Sequence, residues 1–319
     1  MRNIIIKSST LNSEFTPSKI LKEDHLAILK SLVYSDVFDY PLTYEELYQF
    51  IMGKKISKSD FDKILYSDLI PTFIRSNKNF FTLPMREEII DKRISKQNIS
   101  KTKWFQAFSL SYLLSHFPFV RMIAITGSLV FDNIKDKYDD IDFFIIIERN
   151  HLWTTRLFIY TLVRIFELFN TKICPNYIIS DRYLELDDKN FYSARELKQM
   201  IPIYGENLFE KFKNSNKWAD NYYPNAVNKN QLKFTFIKHK QSKIKSLLEK
   251  LLSNKIFSFL EIFEMNRQIN RLKKISTSNS ENNFTKDCAK CHIDGHGNWI
   301  KQKYHMTFEN LLINEEQLL

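Results

Sequence analysis

Apolar residues recur along this chain with two different periods, and the switches between them mark out its elements. Leu26, Ile28, Leu29, Leu32 and Val33 form a stripe at helical spacing. Thr43-Tyr44-Glu45-Glu46 has capping-box spacing, with Leu47, Phe50 and Ile51 following on one helical face. A third helix is predicted to start at Ser57 or Ser59 and to run through Phe61, Ile64 and Leu65. The run 72–75, the polar turn Ser76-Asn77-Lys78-Asn79 and the run 80–83 read as a hairpin. Three helices and a hairpin predict a winged-helix-like unit over 21–95, behind a loose polar arm at 1–20. Its third helix carries Asp60 and Asp62 beside Lys58 and Lys63, so packing or protein contact is expected of it rather than DNA reading.

The middle of the chain alternates types. A helix is predicted over 100–116, then a strand over 122–126, a strand over 141–147, a helix over 151–169 and a strand over 172–179. Beyond residue 190 the pattern is mainly helical, interrupted at Pro202 and Pro224. Its longest periodic stretch is Ile244–Phe263, and Ser276–Asn283 is a polar loop. This divides the chain into 1–20, 21–95, 96–190 and a helical region over 191–319. The class is α+β, with a mixed-sheet core flanked by the N-terminal unit and the helical region.

Composition narrows the picture. The chain has 319 residues, 44% apolar and 26% charged, enough for a sizeable core. Only 5 glycines accompany 27 phenylalanines, which favours helix over glycine-dependent turns. No apolar run reaches the roughly 18–20 residues that span a bilayer. The start of the chain holds only a short apolar run, Ile4–Ile6, which does not read as a signal peptide. A cytoplasmic protein with no membrane partner is expected. A net charge of +10 suggests attraction to polyanions such as nucleic acid. The lysines are scattered rather than striped, however, and the Lys, Asn, Ile and Phe bias is that of an AT-rich genome.

The candidate chemistry lies where the middle strands meet. The first ends in Ile125-Thr126-Gly127-Ser128; after eleven residues the second opens with Asp140-Ile141-Asp142. Carboxylates at i and i+2 on a strand share one face, with Ile141 and Phe143 on the other. Two such acids suit a hard divalent cation, and a Gly-Ser turn brings a backbone N–H and a small hydroxyl close to a phosphate.

This arrangement resembles the nucleotidyltransferase superfamily of the DNA polymerase β type, whose motif is Gly-Ser followed by Asp-x-Asp on a strand. The resemblance covers about residues 100–180. More broadly, the chain resembles a group of prokaryotic proteins with a winged-helix-like start, this core and a helical tail. In that group a Cys-Pro-Asn segment follows, as Cys174-Pro175-Asn176 does here. The resemblance implies a nucleotidyltransferase-type sheet in which Asp140 and Asp142 hold Mg²⁺. Gly127 and Ser128 would hold the phosphates of an NTP, with ATP the first choice. Such enzymes transfer a nucleoside monophosphate to a small molecule, a protein side chain or an RNA end. They also carry a third acid on the neighbouring strand, where this chain has Asn176, a candidate for binding the metal-nucleotide through its carbonyl oxygen but unable to act as a base. Asp181 is the first candidate for that role and Glu185 the second. Arg156 and Arg121 are candidates for neutralising the triphosphate. Failing a third acid, either Asp142 does double duty or the core is a degenerate nucleotide-binding module acting through protein or DNA contacts of the winged helix.

The three cysteines, Cys174, Cys288 and Cys291, make no disulfide framework. Cys288-Ala-Lys-Cys291-His292 matches a haem-attachment spacing, at odds with a cytoplasmic protein. Cys288, Cys291 and His296 match three ligands of a zinc knuckle, with Lys301 where the fourth belongs and His292 or His305 as substitutes.

Overall fold

The computed structural model describes residues 5–6, 19–20, 23–67, 73–226, 236–237, 242–275, 281–291 and 295–317. The expected arm at 1–20 lies outside the described residues except for β1 (Ile5–Ile6) and β2 (Lys19–Ile20), which pair antiparallel.

The N-terminal unit follows the pattern closely. It contains α1 (Glu23–Asp36), β3 (Leu42–Thr43), α2 (Tyr44–Gln49), α3 (Lys58–Leu65), β4 (Arg75–Asn77) and β5 (Phe80–Thr82). Thr43 and Glu46 cap α2 reciprocally, and the Ser57 side chain accepts from the Asp60 amide to start α3. The turn of the hairpin is Lys78-Asn79, both at positive φ, so the strands sit closer to the turn than the polarity pattern placed them. On α3, Lys58 pairs with Glu45 and Lys63 with Asp60.

From Glu88 a single helix, α4 (Glu88–Ser115), runs for 28 residues through the expected boundary at 95/96. It leads into β6 (Val120–Thr126), a 3-10 turn (Gly127–Phe131), β7 (Ile141–Ile147), α5 (Leu152–Glu167) and β8 (Ile173–Ser180). Then come α6 (Phe191–Gln199), β9 (Ile201–Tyr204), α7 (Glu206–Ser215), α8 (Lys243–Leu252), α9 (Lys255–Ile275), β10 (Asn283–Phe284), β11 (Cys288–Lys290) and α10 (His296–Gln317). The region expected to be helical thus adds three strands to the sheet, whose order is β10-β11-β8-β7-β6-β9. β7 and β8 are parallel and the other neighbours antiparallel. The long periodic stretch divides into α8 and α9 at Ser253-Asn254. Residues 276–280 of the expected polar loop lie outside the described residues.

Both faces of the sheet are covered, which explains why β7 is unbroken apolar sequence from Phe143 to Ile147. Phe143, Ile145 and Ile147 pack with Ala107, Leu110 and Leu114 of α4 and Trp153 and Ile159 of α5. Phe144 and Ile146 face the other way, into a core shared with Phe209 and Phe212 of α7 and the apolar interior of the N-terminal unit. Each fully buried Phe or Ile contributes about 1.5–3 kcal/mol. Asp140 and Asp142 share the face of Phe144, so the acid pair opens towards the N-terminal unit.

Candidate functional site: an acid cluster beneath the Gly-Ser turn

Gly127 has φ +70°, a left-handed conformation that a side chain disfavours. A Cβ at this position would also collide with the Asp142 carboxylate. Both constraints select glycine and bring the turn directly against the acid pair. Ser128 donates from Oγ to Asp139 Oδ2 at 3.4 Å, and the same oxygen accepts from the Lys135 amide at 2.8 Å. Thr126 pairs with Asp142 across β6 and β7. The parallel pairing with β8 places Cys174 beside Asp142, and the register then slips by one residue at Pro175-Asn176. Cys174 and Asn176, two residues apart, line the same cavity, and the slip sets Tyr177 opposite Phe144 in its lining as well. Asn176 Nδ2 donates to Asp142 Oδ1 at 3.0 Å.

Carboxylate oxygens of Asp140 and Asp142 and the Cys174 sulfur lie within 4.8 Å of one another. Asp142 titrates well above the usual carboxylate range, first because it is buried and then because Asp140 and Glu196 repel its charge. A cation between the acids would relieve that cost.

The cluster opens on a cavity of about 520 Å³, a size usual for small-molecule sites. Tyr34 and Tyr40 of the N-terminal unit form one wall, Phe131 and Phe144 another. Two neighbours on α6 complete it. The Glu196 carboxyl is pushed up to about 7, mainly by burial, although the Gly127 amide and the Gln199 side chain both hydrogen-bond it. Gln199 Nε2 lies 2.6 Å from Glu196 Oε1. Arg195 is 2% exposed and packs against the rings of Phe50, Phe131, Tyr34 and Tyr223, with the Phe50 centroid 3.4 Å away. Its Nε and Nη1 have no hydrogen-bond partner among the described residues. Burial lowers its affinity for the proton, which the nearby Tyr223 and Tyr34 hydroxyls partly oppose. A buried guanidinium with open donors suits an anionic ligand.

Other sequence candidates fall elsewhere. Asp181 accepts from the Arg149 amide at 3.0 Å and from Arg149 Nε at 3.2 Å, outside the cavity. The reason is strand direction. Because β7 and β8 are parallel, Asp142 pairs with Cys174 while Ile147 pairs with Ser180. The end of β8 is therefore roughly 20 Å from the acids at the usual strand rise. Glu185 pairs with Lys189. Arg156 is buried over Trp153 and Tyr160, and Arg121 bridges Glu148 and Glu249; neither lines the cavity. Cys288 is buried in β11, whereas Cys291 and His296 line the cavity. These three are not drawn together as metal ligands: the only such cluster among the described residues is Asp140-Asp142-Cys174. His292 lies outside the described residues.

Arg195 and Glu196 carry no motif that links them to Asp142. The one hint is their position between Ala194 and Leu197, both buried, on a helix whose start is capped by Asn190. Compared with known proteins, the chain matches no family model, no curated protein and no solved structure.

Proposed function

We propose that this protein is a divalent-cation-dependent nucleotidyltransferase. It moves a nucleoside monophosphate from an NTP, ATP first, to a hydroxyl of a small-molecule acceptor and releases pyrophosphate. The observation that carries this reading is the convergence of Asp140 and Asp142 against the Gly127 turn in the wall of one cavity. A cavity of about 520 Å³ has the size of a small-molecule site, which suits a small acceptor. The carboxylate pair fits a divalent cation, since two acids on one strand edge repel each other without one. When bound, that cation supplies charge neutralisation for the phosphates.

The chain's own groups divide the remaining work. The Ser128 hydroxyl and the Gly127 amide hold phosphate oxygens. The Gly127 amide is engaged by Glu196 in this structure, so an arriving phosphate takes over that donor and frees the carboxylate. Glu196, titrating near neutrality, then accepts the proton of the acceptor hydroxyl as that oxygen bonds to the α-phosphorus and the bond to pyrophosphate breaks. Arg195 offers its open N–H groups to the anion, and Asn176 orients Asp142. Glu196 thereby replaces Asp181 in the role of third acid.

Purified protein mixed with each labelled NTP, Mg²⁺ or Mn²⁺ and a cell extract should release pyrophosphate. Asp140→Asn and Asp142→Asn should each abolish metal-dependent NTP binding and transfer without lowering the melting temperature. Unchanged NTP affinity in both variants would sink the assignment. A second reading, a nucleotide-binding module without transfer, is favoured by Asn176 at the strand position of the usual third acid and by Glu196 on the Gly127 amide. Metal-dependent NTP binding without pyrophosphate release from any NTP would select it.

A further inference from the structure

The metal cluster differs from an all-carboxylate site in one atom. Asp140 and Asp142 lie at the start of β7, and the parallel register sets Cys174 of β8 beside Asp142. The third donor within 4.8 Å is therefore sulfur. The Cys174 sulfur lies within 4.8 Å of an oxygen of each carboxylate and its residue lines the cavity, so it belongs to the cluster rather than to the apolar core. Asn176 does not supply a further oxygen in this arrangement, because its Nδ2 is turned towards Asp142. A second, independent feature marks the cavity as a ligand site. Arg195, 2% exposed in the same wall, keeps Nε and Nη1 without hydrogen-bond partners among the described residues. An anion bound there, beside a cation on the acids, is the complement of both features.

Mg²⁺ takes oxygen ligands in near-ideal octahedral geometry and gains little from sulfur. Thiolate ligands suit softer divalent ions, and mixed sulfur and oxygen sets are typical of zinc-class metals. Three protein donors is also the usual count of a catalytic zinc site, which leaves the remaining position to water or substrate. We infer that the Asp140-Asp142-Cys174 cluster binds a zinc-class divalent cation through two carboxylate oxygens and the Cys174 thiolate, in preference to Mg²⁺. On binding, the Cys174 S–H bond breaks, the sulfur keeps the electron pair and bonds to the metal, and the proton leaves to solvent. This inference rests on the reading of Asp140 and Asp142 as a metal site and goes further by naming the class of metal.

The test uses the full chain, stripped of metal and titrated with Cd²⁺ or Co²⁺ while the near-ultraviolet thiolate-to-metal charge-transfer band is followed. The wild type should develop the band to one equivalent, and Zn²⁺ but not Mg²⁺ should suppress it. Cys174→Ser should lose the band. It should also lower the preference for Zn²⁺ over Mg²⁺ by at least the roughly 10–100-fold that removing even an outer-shell partner costs. Cys288→Ser and Cys291→Ser should keep the band. Cys174→Asp supplies a third oxygen, so it should lose the band and gain Mg²⁺ affinity, and an unchanged melting temperature would show that it folds. No band in the wild type, or an undiminished band in Cys174→Ser, overturns the inference. Asp142→Asn separates this failure from that of the functional reading. If it removes Mn²⁺ binding while the wild type shows no band, only the choice of metal is wrong. If it leaves Mn²⁺ binding intact as well, the metal site itself is wrong.

Discussion

Gly127 and Glu196 show how much of the site rests on single residues. Gly127→Ala must hold a side chain at φ +70° and push against Asp142. Left-handed strain alone costs roughly 1–2 kcal/mol, and the clash adds to it. A lowered urea midpoint together with lost NTP binding is expected. A variant that binds NTP like the wild type would show that the turn does not face the phosphates. Glu196 gives a prediction in pH. Its folded value is about 7 against 4.5 for the free side chain. Between those values the native state keeps a proton that the unfolded chain has lost, so stability falls as pH rises through that window. Glu196→Gln should flatten that fall, which is at most about 3 kcal/mol for a shift of this size. Urea midpoints measured between about pH 4 and 8 would check it. The same substitution should slow transfer by about 10²–10⁴-fold while NTP binding persists, the usual worth of one general base. An unaltered rate would remove Glu196 from the reaction.

At the scale of elements, the direction and register of strands decide which side chains meet. The pattern of β6, β7 and β8 was legible because their apolar runs are bounded by polar turns, and the face shared by Asp140 and Asp142 follows from period two. Period alone does not say whether β8 runs with β7 or against it. That choice took Asp181 to the far end of the sheet and brought Cys174 to the acids. The start of β6 is pinned by α8, which lies far away in sequence. Lys245 Nζ donates to the Ser115 and Val120 carbonyls, both at 2.8 Å, and Glu249 accepts from the Phe119 amide at 2.8 Å. Lys245→Met keeps the aliphatic volume but leaves two buried carbonyls without that donor. A loss of about 1–3 kcal/mol in a denaturant titration is expected, and no loss would mean that water replaces the ammonium.

Across the whole molecule, the N-terminal unit and the sheet share one core, and the cavity lies between them. Arg195 is the joint: Tyr34 and Phe50 come from the N-terminal unit and Phe131 from the turn after Gly127. An unpaired buried charge is costly, and an apolar chain of similar volume in its place removes that cost. Arg195→Met should therefore leave the melting temperature unchanged or raise it, while NTP or pyrophosphate binding weakens at least about tenfold, the loss of a charge-assisted hydrogen bond. A lower melting temperature with intact binding would make Arg195 a structural bolt instead.

The sequence by itself determined the N-terminal helices, the three central strands and the place of Gly127, Ser128, Asp140 and Asp142. These depend on local periods, caps and turn chemistry, which act over a few residues. The tertiary structure alone decided the parallel β7–β8 pairing, the three C-terminal strands, the sulfur beside the acids and the arrival of Arg195 and Glu196 beneath the Gly-Ser turn. Contacts between residues far apart in sequence are set by how whole elements pack, and no period in one segment records the partner that another segment will bring.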